Sequence, residues 1–190
     1  DSIIDYSTDK CRKTYNVTTI TPIFGGGVEA GEPDENMPIR ATAIRGQLRH
    51  WWRFLAIDRK SANEPTDYKA LFAQERELWG GMGEKNEDHA SKVFVQVNIL
   101  SKKPIFSPYY YDKDQVISYA LFPAREPPKN ILIKEGICFE LIITMPHDKL
   151  SEVEKAIRWW MTFGGVGSRT RRGVGSVDIR EMTPISENEA

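Results

Sequence analysis

The spacing of apolar positions changes several times along the chain, and each change predicts an element. Thr14 to Ile23, TYNVTTITPI, is rich in β-branched residues and alternates in part, with Tyr15, Val17 and Thr19 on one side. That pattern predicts the first strand. Pro22 ends the pairing, and Phe24 followed by Gly25, Gly26 and Gly27 predicts a loop open to positive φ. After Pro38 the period lengthens. With Thr42 placed as the N-cap, Ile44, Leu48, Trp51 and Leu55 recur at four-three-four spacing, which predicts an amphipathic helix with those four toward the core. Leu71, Phe72, Leu78 and Trp79 predict a second short helix, stopped by Gly80, Gly81 and Gly83.

Val93 to Leu100, VFVQVNIL, is the clearest strand, with Val93, Val95, Val97 and Ile99 on one face. From Ser101 to Asn130 five prolines bracket the run Tyr109, Tyr110, Tyr111 and a short apolar segment, which predicts an insertion carrying a hairpin rather than core. Ile137 to Thr144 is a further strand. Ser151 with Glu154 makes an S-x-x-E capping box for a closing helix whose stripe is Val153, Ile157, Trp160 and Met161, and Val174 to Arg180 is a last strand. The order is βαββαβ, an α+β class of the ferredoxin-like or RRM-like sandwich, with four strands and two helices on one face.

The 190 residues suffice for one domain with a sizeable insertion, here 1–190 with 101–130 as the insertion. The 40% apolar and 28% charged residues are those of a folded chain, which argues against disorder. Net charge is −1, so an anion site has to come from local segregation of charge. From Ile39 to Lys60 that segregation is present: Arg40, Arg45, Arg49, Arg53, Arg59 and Lys60 face the single Asp58, with Glu29, Glu32, Asp34 and Glu35 just upstream. On the predicted helix Arg45, Arg49 and Arg53 fall at i, i+4 and i+8 with Trp52 beside them, and like charges so spaced repel unless something anionic lies against them. Cys11 and Cys138 belong to no C-x-x-C pair and suggest neither a disulfide framework nor a metal site. A reducing cytoplasm is the location that fits these two cysteines; no stretch approaches the roughly 18 apolar residues of a membrane span, no signal-peptide pattern opens the chain, and no membrane partner is expected. The first residue is Asp rather than Met, which suggests trimming or a fragment.

Residues 164 to 176, GGVGSRTRRGVGS, hold five glycines and three arginines but only two apolar side chains. The segment leads from helix to strand and has no lysine, so it is not a phosphate-binding P-loop, and Thr170 stands where a dinucleotide fingerprint needs its third glycine. No small-molecule cofactor is expected. One or two of the glycines suit tight turns. Five beside Ser168, Arg169, Thr170, Arg171 and Arg172 suit a backbone that approaches an extended anion closely while arginines hold it, as a clamp on RNA would. The first helix adds a second wall through Gly46, which allows close approach, and its arginines. Trp52 and Phe24 are candidates to stack on bases, with core packing as the alternative for each.

These residues resemble a family. TPIFGGGVEAG, then IRATAIRGQLRHWWRFL, then GGVGSRTRRGVGS closing the chain are similar to the RAMP superfamily of CRISPR effector proteins. The tryptophan pair within IRGQLRHWWR resembles in particular the RAMP subunit of the Cmr, type III-B, complex that sits near the 3′ end of the guide RNA. The resemblance implies a subunit that grips CRISPR RNA, helps capture complementary target RNA and assembles with other RAMP subunits. It places the loop role on Gly164, Gly165, Gly167, Ser168, Arg169, Arg171, Arg172, Gly173 and Gly175, and the helix role on Arg45, Arg49, His50, Trp52 and Arg53. Phe24, Gly25, Gly26 and Gly46 complete the expected RNA-binding set. Residues 101–130 resemble the superfamily's thumb insertions. Such proteins usually carry two ferredoxin-like domains and one is visible here, which implies a fragment or a minimal form.

Some relatives cut RNA, with a histidine as general base or an aspartate on the thumb. His50, beside the predicted RNA helix, and Asp112 and Asp114 on the insertion are the catalytic candidates. No second group is placed by spacing to complete either mechanism. A non-catalytic RNA-binding subunit is therefore the leading expectation, ahead of a metal-independent endoribonuclease and of a protein adaptor whose arginines meet an acidic partner.

Overall fold

The structure, a computed structural model, describes residues 9–58, 67–82, 88–101, 103–110, 112, 116–127 and 130–189. It is a mixed α+β fold with antiparallel sheets. Strand β1 (Lys10–Thr19) turns Tyr15, Val17 and Thr19 inward, as the alternation predicts, but starts four residues earlier. It is followed by β2 (Ile23–Phe24), α1 (Ala41–Asp58), α2 (Tyr68–Trp79), β3 (Phe94–Ile99), β4 (Phe106–Pro108) and α3 (Val116–Ala120). The chain continues through β5 (Ile131–Ile133), β6 (Cys138–Pro146), α4 (Leu150–Phe163) and β7 (Val177–Ile179).

Strands β3, β6, β1 and β7 pair in that order, antiparallel throughout. Phe139, Leu141, Ile143 and Met145 alternate along β6 onto one face of this sheet, and α1 and α4 cover that face. Ile44 and Leu48 of α1 and Val153, Ile157, Trp160 and Met161 of α4 fill the space between.

The insertion differs from the protruding hairpin expected for 101–130. Its strand β4 pairs with β5, just beyond the insertion, and β5 pairs with β2, so the segment after β1 joins the insertion in a second, three-stranded sheet. A second core forms there from Phe24, Ala120, Leu121, Ala124, Leu132 and Val174. The two-residue and three-residue strands are too short to show an alternating pattern, which is why their pairing was not legible.

Both helix caps differ as well. Helix α1 begins at Ala41, so Thr42 lies in its first turn rather than before it. A 3-10 turn, His147–Lys149, leads into α4 at Leu150, and no side chain caps that end. The Glu154 carboxylate that the capping box would need accepts the Tyr15 hydroxyl at 3.0 Å instead. The two adjacent tryptophans also exchange roles. Trp52 is buried and Trp51 is half-buried, because the inward stripe runs Ile44, Leu48, Trp52 and the Trp52 indole N–H reaches Glu152 of α4 at 3.1 Å.

Candidate nucleic-acid interface

Successive helical residues are turned by about 100°, so α1 divides its surface among three neighbours. Ile44, Leu48 and Trp52 meet the core, and Arg45, Arg49 and Arg53 meet α2. The third stripe is Ala43, Gly46, Gln47 and His50, at i, i+3, i+4 and i+7, and it faces the glycine-rich loop. Two adjoining cavities lie between this stripe and the loop, with Gln47 lining both. One, about 100 Å³, is bounded by Gly26, Arg40, Ala43 and the backbone from Gly165 to Ser168. The other, about 200 Å³, is bounded by Gly46, His50, Trp51, Phe163, Thr170 and Arg171. Together they form a track along the seam of helix and loop.

The arginine stripe has a different employment from the one expected. Glu75 of α2 is buried, and Arg49 and Arg53 both donate to its carboxylate. Arg45 donates to the backbone carbonyl of Trp79, and burial, followed by the neighbouring Arg49, lowers its pKa. Burial pushes the Glu75 carboxyl up, but the hydrogen bonds from Arg53 and Arg49 outweigh it and hold the group below its ordinary value. The anion that the i, i+4, i+8 repetition calls for is thus supplied by the chain itself.

Within the loop the two apolar side chains act as anchors in separate cores. Val166 packs into the main core and Val174 into the core under the insertion. The Trp160 indole N–H donates to the carbonyl of Gly165 at 2.9 Å, and the Gly175 N–H donates to Pro22 at 2.8 Å. Where the two arms cross, Val166 N–H donates to the Gly175 carbonyl at 2.8 Å. A Cβ on Gly175, whose φ is +68°, would collide with the Val166 carbonyl oxygen. Gly175 is buried at this crossing and Gly25 beside it, away from both cavities, whereas Gly164 and Gly165, though little exposed, line the larger and the smaller cavity. Their lack of side chains serves the loop's own packing.

What the loop leaves outside is its 3-10 turn, Thr170–Arg172, entered through Arg169 and left through Gly173. Arg169, Arg171, Arg172 and Gly173 are exposed. The adjacent arginines diverge: Arg171 lines the larger cavity, while the Arg172 guanidinium stacks 4.7 Å over the ring of Tyr119 on α3. Gly167 and Ser168 line the smaller cavity, and the Ser168 N–H is tied to the Phe24 carbonyl at 2.7 Å.

Two stacking expectations are corrected. Phe24 is only 4% exposed inside the second core and Trp52 only 3% exposed in the first, so neither ring has a face for a base. The aromatic surface lies one helical step away, where Trp51 and Phe54 of α1 meet Trp159 and Phe163 of α4. His50 is exposed at the seam, and the partial desolvation of its ring, then Arg53 and Arg171, keep its pKa below the ordinary value. Asp112 sits on the insertion and lines neither cavity, and Asp114 lies outside the described residues. Sequence reasoning missed Gln47, Glu75, Tyr119, Trp159 and Phe163. Gln47 was signalled by its place three residues before His50, and the α4 pair by its i, i+4 spacing.

The model of the RAMP superfamily matches residues 16–178. The CRISPR system Cmr subunit Cmr1-2 of Pyrococcus furiosus is 23% identical over 190 residues, spanning 88% of this chain and 95% of that protein. The crystal structure of Cmr1 from Pyrococcus furiosus, apo form, is similar in fold with a TM-score of 0.65 and 21% identity, over 90% of this chain and 49% of that one. A chain of the cryo-EM structure of the type III-B Cmr-beta bound to cognate target RNA is similar with a TM-score of 0.53 and 15% identity, over 90% of this chain and 59% of that one. The chain thus spans about half the length of the first of these solved chains and somewhat more of the second. With its glycine-rich loop crossing beside the first helix and the family's model covering most of its length, the chain belongs to the RAMP superfamily.

Proposed function

We propose that this chain is an RNA-binding subunit of a CRISPR type III-B (Cmr) effector complex. It grips guide RNA near its 3′ side and helps capture complementary target RNA in antiviral defence. The observation that carries this reading is the track between α1 and the loop, where Gly46, His50, Thr170 and Arg171 line a cavity of about 200 Å³. A phosphate following that seam meets Arg171 on one side and the bare backbone at Gly46 on the other, with Arg169 and Arg172 exposed on the same turn of the loop. The likeness to Cmr1-2 and to a chain of an RNA-bound Cmr complex supports the assignment to that assembly, and with it other Cmr subunits as partners in the cytoplasm. The sheet order β3-β6-β1-β7, with α1 and α4 as the two helices, supports a ferredoxin-like βαββαβ unit for the RAMP domain.

The subunit holds RNA and does not cut it. Paired acid–base catalysis needs a second group titrating near neutral pH beside His50, and the only other titratable side chain among the described residues lining its cavity is Arg171. Fluorescence anisotropy with labelled single-stranded RNA over a salt series tests the binding. The same RNA run on a denaturing gel tests the holding role, and cleavage that disappears in His50→Ala or Asp112→Ala would show a nuclease instead.

A further inference from the structure

The seam between α1 and the loop does not end at Arg171. His50, Trp51 and Phe54 on α1 and Trp159 and Phe163 on α4 form a connected aromatic ledge. Trp51 stands 5.3 Å from His50, 5.9 Å from Phe54, 5.9 Å from Trp159 and 6.0 Å from Phe163, measured between ring centroids. Phe54 and Phe163 remain 46% and 39% exposed, a large apolar display for helices that already bury their inner faces. Trp51 and Phe163 belong both to this ledge and to the lining of the larger cavity. The Trp51 indole N–H, covered beside Gly164, has no acceptor among the described residues.

We propose that this ledge is a stacking site for an unpaired nucleobase of the RNA whose phosphates follow the loop, an inference that rests on the RNA-binding reading above. The cavity of about 200 Å³ admits a single planar ring, whereas a partner helix about 10 Å across does not fit. Arg171 at the mouth supplies the charge that a base arriving with its phosphate needs, and the aromatic faces accept any base because every base has a π-face. The Trp51 indole N–H is turned inward beside Gly164, so the ring meets a base through its apolar surface.

Two fluorescein-labelled RNAs of equal length decide this with the full chain: a uridine decamer, and a decamer of the same phosphates with abasic riboses. The uridine decamer is expected to bind roughly tenfold more tightly or better. Phe163→Ala is expected to erase most of that preference, weakening the uridine decamer several times more than the abasic one. Trp51→Phe, which keeps a ring of smaller face, loses a smaller part of it, and thermal melting verifies that both variants fold. Equal binding of the two decamers by the unmodified chain overturns the ledge and leaves the loop reading intact. Failure of both to bind overturns the loop reading and the ledge with it. A preference that survives in both variants overturns the ledge alone, and loss of assembly with another Cmr subunit in Phe163→Ala would then mark it as a protein contact.

Discussion

Arg53 grips Glu75 with two hydrogen bonds of 2.7 Å, Nε to one carboxylate oxygen and Nη2 to the other. The carboxylate is 3% exposed and shared with Arg49, while the two guanidinium side chains are 45% and 26% exposed. The pairing joins α1 to α2 and fixes the helix in rotation. With Arg45, Arg49 and Arg53 held on the α2 side, the stripe of Gly46, Gln47 and His50 is turned to the loop.

Glu75→Gln is expected to destabilise the fold by about 2 kcal/mol, less than a fully buried ion pair because the arginines are part-exposed. The Glu75 pKa is lowered in the fold, so its contribution is fully present above the unfolded carboxyl value, about 4.5, and is lost as pH falls through the folded value. Urea unfolding of the two proteins at pH 7 and at pH 3 checks both points, with the difference between them shrinking at the lower pH.

Gly46 lies in the middle of α1, and a Cβ there would meet nothing within 4 Å. Packing within the chain does not require this glycine, and glycine in a helix costs about 1 kcal/mol relative to alanine. Gly46→Ala is therefore expected to raise the unfolding free energy by about 0.5–1 kcal/mol while weakening RNA binding severalfold, since the methyl enters the track. Denaturant melts and anisotropy titrations separate the two effects.

Gly175 is the opposite case. Its φ of +68° and its approach to the Val166 carbonyl leave no room for a methyl group. Gly175→Ala is expected to cost more than about 2 kcal/mol and to open the crossing of the loop arms. Amide hydrogen exchange at Val166, whose N–H bonds to the Gly175 carbonyl at 2.8 Å, reports the opening directly.

Arg171 and Arg49 separate binding from stability. Arg171 lines the track, whereas Arg49 is tied to a buried carboxylate. Removing Arg171 is expected to weaken RNA binding and to shallow the slope of log affinity against log salt by about one unit, with little change in melting. Removing Arg49 is expected to lower the melting temperature and leave that slope nearly unchanged. Both readouts come from one pair of alanine variants.

The sequence shows the main sheet and the two long helices clearly, because β6 and α4 alternate at two and at 3.6 residues without interruption. The four-three-four spacing puts Trp51 on the core stripe, where the structure puts Trp52. Both fit a helical stripe with Ile44 and Leu48, and the choice is made by Glu152, a hundred residues further on. The charges of the arginine stripe are equally plain, but their partner Glu75 lies in another helix and belongs to no motif. In the loop, thirteen residues announce glycine and arginine together, and only the fold divides them. Gly165 and Gly175 serve a backbone crossing, while Arg169, Arg171 and Arg172 are left at the surface. The second sheet is silent because β2 and β5 pair across more than a hundred residues with two pairs in register.

His50 provides a probe of the track that does not depend on an affinity measurement. In the free chain partial desolvation and the nearby Arg53 and Arg171 favour its neutral form and hold its pKa below 6.5. The unfolded state then binds the proton more readily, so the contribution of this group to stability is complete above pH 6.5 and declines as pH falls toward the folded value. A phosphate placed beside His50 and Arg171 reverses the balance by neutralising the arginine and favouring the imidazolium. Binding of single-stranded RNA is therefore expected to raise the His50 pKa, to take up a proton, and to tighten as pH falls from 7.5 to 6. NMR titration of the His50 ring with and without RNA measures the shift, and it should be absent when Arg171→Ala abolishes the phosphate contact. A pKa unmoved by saturating RNA would place the bound backbone away from this end of the seam.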